Sequence, residues 1–292
     1  MRIELFKTPY LSIVPLAAIL GISGCGAPGD STPGNGPPPS SYETLDSTAA
    51  VTSTLGGTGL KGNLSNLDVE LVSLTGTLAH DTGAMAVTDG TYSLSGIVDA
   101  SGNLTDGNAE IKFGSVPGTY SYTQTYVLLY ESGGGEYAVV GVDGIITHPA
   151  HVPSTGSGTY IGGAVGSINS GTTIIDLTNG TSTVGVDFGA GTVDVTLTGF
   201  TPVHDSGPVI PVPIDTISVT GMNISGNSFS GGTLSTLNGG TTVDITGANR
   251  VDLAEGRFFG YDTATLQPVE VGGVIMTAGD SGAVVGVFIA VD

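Results

Sequence analysis

GRFFGYDTATLQPVEVGGVI spans Gly256 to Ile275, and its alternation decides how the chain is read. Successive residues of a strand point to opposite faces. Phe258 and Gly260 therefore share one face, while Arg257, Phe259 and Tyr261 share the other. Bulky aromatic residues on both faces need two covers. Phe258 is expected to enter an interior thinned by glycine, with Phe259 and Tyr261 facing outward under an N-terminal domain. DTATLQP reads as a turn, and Gly272-Gly273 lets the return strand bend or pack closely. A ligand patch or a membrane girdle would use the same aromatics. The alternation favours the seam of a small closed barrel.

The last stretch, GAVVGVFIAV, supports that reading. Val285, Val287, Ile289 and Val291 lie on one face; Val284, Gly286, Phe288 and Ala290 lie on the other. Both faces are apolar, so one should meet a barrel interior and the other a neighbouring domain or sheet. Such a strand would be a poor free edge. Pairing it with the first strand near Tyr160 would close the barrel. From Thr159 onward short strands recur every ten or so residues, separated by Asn-Gly, Gly-Ala-Gly and Ser-Gly-Asn turns. Nothing reads as a long amphipathic helix. The expected fold class is all-β: an N-terminal antiparallel β-sheet domain followed by a small eight-stranded antiparallel β-barrel.

Upstream, residues 42–152 read as the N-terminal β domain. LDVELVSLTGTL and GTYSLSGIV alternate between turns rich in glycine, Asp and Asn. In GTYSYTQTYVLLYESGGGEYAVVGV, Tyr120, Tyr122, Tyr126, Leu128 and Tyr130 share one parity. They are expected to line one face of a single strand, either as a packing face between sheets or as an amphipathic recognition stripe. The four tyrosines are thus candidate ligand-binding residues.

The first 24 residues read as a lipoprotein signal peptide. MRIELFK supplies Arg2 and Lys7, YLSIVPLAAILGI is a short apolar run, and Ile22-Ser23-Gly24-Cys25 ends in the only cysteine. The tetrad resembles a bacterial lipobox, which implies cleavage before Cys25 and its lipidation. Gly26 stands where Asp would be the usual inner-membrane retention signal, so the bacterial outer membrane is expected. Residues 25–41 are the lipidated cysteine and a Pro/Gly/Ser tether, stiffened by Pro37-Pro38-Pro39.

Charge narrows the partners. Formal net charge is −20, from 26 acidic and 6 basic residues. No Lys or Arg lies between Lys112 and Arg250. Nucleic acid and anionic surfaces are therefore excluded as favoured partners. Haem propionates and anionic chelates lack a cationic clamp over that stretch.

Chemical motifs are sparse. AGDSGA, at Ala278–Ala283, resembles a serine-protease nucleophile stretch, but Ser281 falls in an expected hairpin turn without a base in the right context. GTGLKG, at Gly57–Gly62, spells a dinucleotide fingerprint without the helix that must follow it. Asp99–Asn108 offers alternating oxygen ligands. Leu104 occupies the sixth position, where an EF-hand needs glycine, although Glu110 falls at the twelfth. It reads as an Asx-rich turn, with weak calcium binding as the alternative. HPAH places His148 and His151 three apart before the barrel, either as an interdomain linker or as two metal ligands. Zinc sites usually take three or four protein ligands. No cofactor is expected, and the chain does not read as an enzyme.

VPSTGSGTYIGGAVG, VGVDFGAGTVDVTLTG, ISGNSFSG, EGRFFGYDTATLQPVEVGGVI and VVGVFIA together, in that order, resemble the β-barrel domain of the transferrin-binding protein B family of bacterial surface lipoproteins. The resemblance covers residues 153–292. It implies that residues 42–152 occupy the place of the family's handle-like sheet. It also implies noncatalytic binding of a protein or solute at the cell surface, with nutrient capture of metal or haem as one form. An outer-membrane export or receptor partner would accompany it. No family recognition loop matches residue by residue. The alternatives are a structural or adhesive surface protein and an integral outer-membrane barrel. The latter favours Trp/Tyr girdles and a terminal aromatic, where this sequence has no Trp and ends in Asp292.

Overall fold

A computed structural model describes residues 38–42, 44–45, 52–63, 69–79, 82–88, 93–98, 103–105, 109–114, 116–132, 135–170, 173–204 and 213–292. The expected signal peptide, Cys25 and His80 lie outside the described residues, as do most of the tether and most of the Asp99–Asn108 turn.

Among the described residues eight antiparallel strands form the N-terminal sheet: β1 (Thr52–Asn63), β2 (Val69–Ala79), β3 (Ala84–Thr88), β4 (Ser93–Ile97), β5 (Asn103–Thr105), β6 (Ala109–Phe113), β7 (Thr123–Ser132) and β8 (Gly135–Gly144). Their order across the sheet is β4-β3-β2-β1-β8-β7-β6-β5. The two ends of that order, β4 and β5, lie against each other, so the sheet curls round its own core. Leu78, Met85, Val87, Leu94, Ile111, Tyr126, Leu128, Tyr130 and Val139 fill it. Gly57–Gly62 sits inside β1 with β2 as the next element, so its dinucleotide spelling has no strand-turn-helix context.

A single 3-10 turn, Pro149–His151, leads into the second unit. Its strands are β9 (Ser157–Ser170), β10 (Thr173–Asp187), β11 (Thr192–Thr198), β12 (Thr201–His204), β13 (Thr216–Ser225), β14 (Ser228–Ser230), β15 (Thr233–Asn238), β16 (Thr241–Thr242), β17 (Val251–Phe259), β18 (Glu270–Gly279) and β19 (Gly282–Val291). Eight of these close a ring among the described residues, in the order β9-β10-β11-β13-β14-β17-β18-β19 and back to β9. The closing ladder pairs Val291 with Ile161 and runs through Val287↔Val165 to Gly282↔Ser170. The expected pairing of the last strand near Tyr160 is thus observed. On β10 the register shifts between Leu177 and Gly180, where Asn179 adopts φ 53. Asn is among the few residues that tolerate this left-handed backbone. The bulge lets β10 pair with β12 up to Thr178 and with β11 from Thr181.

Alternation then sorts the side chains. Ala254, Phe258, Val271, Ile275, Val284, Phe288 and Ala290 point inward, to a core that also holds Tyr160, Phe188, Phe229 and the β11 residues Val193, Val195 and Leu197. Phe258 is fully buried and packs edge-on to Phe229 at 5.2 Å between ring centroids. Gly256 makes room for that pair, because a Cβ there would stand 2.4 Å from the Phe229 ring. The barrel is a packed core, as expected for eight strands filled by side chains. Away from the N-terminal sheet its outer face is polar: Asp194 on β11 and Thr181 and Thr183 on β10 are exposed.

The opposite parity of β17–β19 makes the seam. Val274, Met276, Ala278, Val285, Val287 and Ile289 face Val127, Val140 and Val142 of the N-terminal sheet. Phe259 is 1% exposed and sits among them. Its ring fills the notch left by Gly144, where a Cβ would lie 2.7 Å from it. Gly272 lets Thr123 and Val142 approach from outside, and Gly273 admits the Phe288 ring from inside. Both covers required by the paired phenylalanines are present.

Candidate functional site at the domain seam

The tyrosine stripe is not one face of one strand. β7 begins at Thr123, so Tyr120 and Tyr122 precede it in an irregular lead. That lead bends at Ser121 and Tyr122, just before the strand starts, so the parity read from the sequence does not carry across. Tyr120 and Tyr122 pack against the seam. Tyr126 and Tyr130 point the other way, into the core of the N-terminal sheet, at 1% and 3% exposure. Gly141 opens the space for Tyr126, whose hydroxyl would crowd any Cβ there. Burial, with the Asp143 carboxylate nearby, pushes the Tyr126 phenol far above its ordinary pKa. Tyr126 and Tyr130 therefore present no surface to a ligand, and only the first two tyrosines of the stripe remain near solvent.

The lead is clamped to the barrel. Tyr120 donates its hydroxyl to the Pro117 carbonyl (2.8 Å) and accepts from the Gly163 amide (2.8 Å). Glu270, first residue of β18, is 2% exposed. Its carboxylate accepts from the Ser121 amide at 2.6 Å and the Tyr122 amide at 3.1 Å. Burial raises the Glu270 pKa, and the amides of Ser121 and Tyr122 pull it back down. Composition gave no hint of this clamp, but a lone Glu in a strand apolar on both faces was the available signal. Beside it lies a cleft of about 260 Å3, lined by Val116, Thr119, Tyr120, Thr123, Gln124, Thr125 and Ile289.

The histidines sit at the same seam. His148 caps the 3-10 turn, its Nδ1 accepting from the Ala150 amide at 3.2 Å. His151 stacks on Tyr261, with ring centroids 4.1 Å apart and planes 12° from parallel. Tyr42 joins them from the far side of the N-terminal domain in sequence. Its hydroxyl lies 3.1 Å from His151 Nδ1 and accepts from the His148 amide at 2.7 Å. Burial, then the neighbouring His148, lowers the His151 pKa. Burial raises the Tyr42 pKa. The two imidazoles are 6.0 Å apart between centroids, and each commits its Nδ1 to the protein. Among the described residues no group of three or more His, Cys, Asp or Glu could hold a metal ion. Ser281 lies in the β18–β19 turn, its amide donating to the Thr246 carbonyl.

A curled antiparallel sheet packed on a filled eight-stranded barrel defines a sheet-and-barrel lobe. Residues 152–292 match the family of C-lobe and N-lobe beta barrels of Tf-binding protein B, so that segment is similar to this β-barrel family. Intact Ap-TbpB, with its N and C lobes, superposes with a TM-score of 0.50 at 20% identity, over 80% of this chain and 45% of that one. A transferrin-binding protein B variant from Haemophilus parasuis Hp5 gives 0.51 at 20% identity, over 80% and 44%. The chain spans under half the length of these structures, and at such identity the likeness shows the fold alone. No curated protein matches the chain.

Proposed function

We propose that this chain is a surface lipoprotein, anchored in the bacterial outer membrane through Cys25, that binds a protein or solute ligand without catalysis. One observation supports the reading: the barrel interior is filled by Tyr160, Phe188, Phe229, Phe258 and Phe288, which favours recognition on the outside. The cleft lined by Tyr120 and the loops at the seam are the surfaces offered. Metal or haem capture through His148 and His151 is the narrower form of this proposal. The integral-barrel alternative is disfavoured, because a lipid-facing barrel needs an apolar exterior band, whereas here Asp194, Thr181 and Thr183 are exposed. A structural or adhesive role without a small ligand is the remaining alternative.

Two measurements test the proposal. Cys25→Ala should move the protein from the membrane fraction to the soluble fraction; retention in the membrane refutes the anchor. Titration calorimetry of the purified chain with zinc, copper and haem should show binding tighter than micromolar for one of them if nutrient capture is right. Heat signals no stronger than buffer for all three remove that form and leave protein binding or adhesion, which pull-down separates.

A further inference from the structure

The cleft of about 260 Å3 beside the Glu270 clamp has walls of two kinds and no charge. One wall is apolar, made by Val116, Ile289 and Tyr120. The other offers the neutral hydrogen-bonding side chains of Thr119 and Gln124. We propose that this cleft binds an uncharged sugar ring, either free or at the end of a glycan. This rests on the reading above that recognition lies outside the filled barrel, and it adds the chemical class of the ligand.

Charge decides what is turned away. None of the residues that line the cleft is acidic or basic. Two carboxylates lie next to its lining, and both are occupied. Glu270, 2% exposed, takes the Ser121 and Tyr122 amides. Asp143, 0% exposed, takes Gln124 Nε2 at 2.9 Å. A phosphate, carboxylate or ammonium group entering the cleft would lose water and meet no opposite charge, which is costly. A wholly apolar ligand would strip water from Thr119 and Gln124 and return no hydrogen bond.

A neutral ligand with an apolar face and a polar rim fits both walls. A sugar ring has a face of C–H bonds and a rim of hydroxyls, each able to donate and accept. Gln124 suits that rim. One of its N–H groups goes to Asp143, which fixes the amide's orientation and leaves its carbonyl oxygen and second N–H for a hydroxyl. Thr119 is exposed, and its hydroxyl can give or take. Gly114 and Gly118 line the cleft without side chains, so a ring can come close to the backbone there. The Tyr120 wall is fixed before any ligand arrives. Its hydroxyl bonds Pro117 and Gly163 at 2.8 Å each, and a Cβ at Gly118 would stand 2.5 Å from it. A preorganised wall loses little freedom on binding. Small-molecule sites usually run about 300–1,000 Å3, so this smaller cleft takes one ring rather than a chain.

The test uses the full chain and saturation-transfer NMR, with the methyl glycosides of glucose, galactose, mannose and N-acetylglucosamine as probes. Glucosamine and glucuronic acid are the cationic and anionic counterparts of the glucose ring. At least one neutral probe should bind, and neither charged ring should match it. Thr119→Val keeps the shape of an exposed side chain and removes its hydroxyl. It should weaken the bound probe about tenfold, the equivalent of one hydrogen bond. Gln124→Leu should weaken it at least as much, with its unfolding midpoint measured alongside because Asp143 loses a donor. An array of neutral glycans separates the two sources: a ring bound alone marks a solute site, and one bound only at a glycan's end marks a glycan site. No neutral sugar bound in either format overturns the proposal. So does a charged ring that binds as tightly as the best neutral one, or neutral binding that Thr119→Val leaves unchanged. A protein captured through the cleft with no sugar bound also overturns it. Each of these results leaves the Cys25 anchor untouched, since fractionation reads that separately.

Discussion

Truncating either of the adjacent phenylalanines should damage a different part of the molecule. Phe258 is buried inside the barrel against Phe229 and Phe188, at 5.2 and 5.9 Å between centroids. Phe259 is buried in the seam over Gly144, beneath Val140 and Val142. Replacing a buried Phe by Ala removes transfer free energy and leaves a cavity, together about 3–5 kcal/mol. Phe258→Ala also loses an edge-on aromatic pair, worth about 1 kcal/mol beyond area. In a domain of this size each kcal/mol lowers Tm by about 2–4 °C, so either change should shift the affected transition by on the order of 10 °C. Calorimetry with hydrogen exchange separates the two. Phe258→Ala should lower the melting of the barrel and strip protection from β14 and β17. Phe259→Ala should leave the barrel transition in place and split off an earlier melting of the N-terminal sheet, with protection lost first at β7 and β8. Identical melting and exchange for the two variants would refute the two-cover reading of Arg257-Phe258-Phe259.

Three further outcomes follow from single contacts. Gly144→Ala places a Cβ 2.3 Å from the Tyr122 carbonyl and 2.7 Å from the Phe259 ring, and should cost about 1–3 kcal/mol in denaturant unfolding. Glu270 has a raised folded pKa, so its ionisation opposes folding; the wild type should lose stability as pH rises from the ordinary carboxylate range through that raised value, and Glu270→Gln should flatten the slope. Leu266, exposed in the 262–268 loop, adopts φ 60. Leu266→Gly removes that strain, worth about 1–2 kcal/mol, and its unfolding midpoint should rise or hold rather than fall.

The barrel was readable because its alternation is strict. In β17–β19 large apolar residues lie on both faces in strict alternation, thinned by Gly256, Gly273 and Gly286 inside and Gly272 outside, so both covers could be inferred before any contact was known. The tyrosine stripe failed for a definite reason. Parity carries only along continuous strand, and the chain bends at Ser121 and Tyr122 before β7 begins at Thr123, between Tyr120 and Tyr126. The histidines were visible as a pair, but Tyr42 lies about a hundred residues upstream at the end of a proline run, and no local pattern links it to them. Glu270 was hidden by ordinary strand composition; only the amides of a distant irregular segment reveal what it holds.

The β9–β19 ladder has a consequence in time. Strands β9–β18 can pair with neighbours as they emerge, yet the second edge of β9 must wait for β19. Contacts of such long sequence separation are slow to form. Phe288 and Ala290 arrive with that strand, so the interior cannot be fully filled before it docks. A chain that withholds its final strand stays unclosed and threadable. Under the surface anchoring proposed above, late closure would keep the chain in a form that can still be moved.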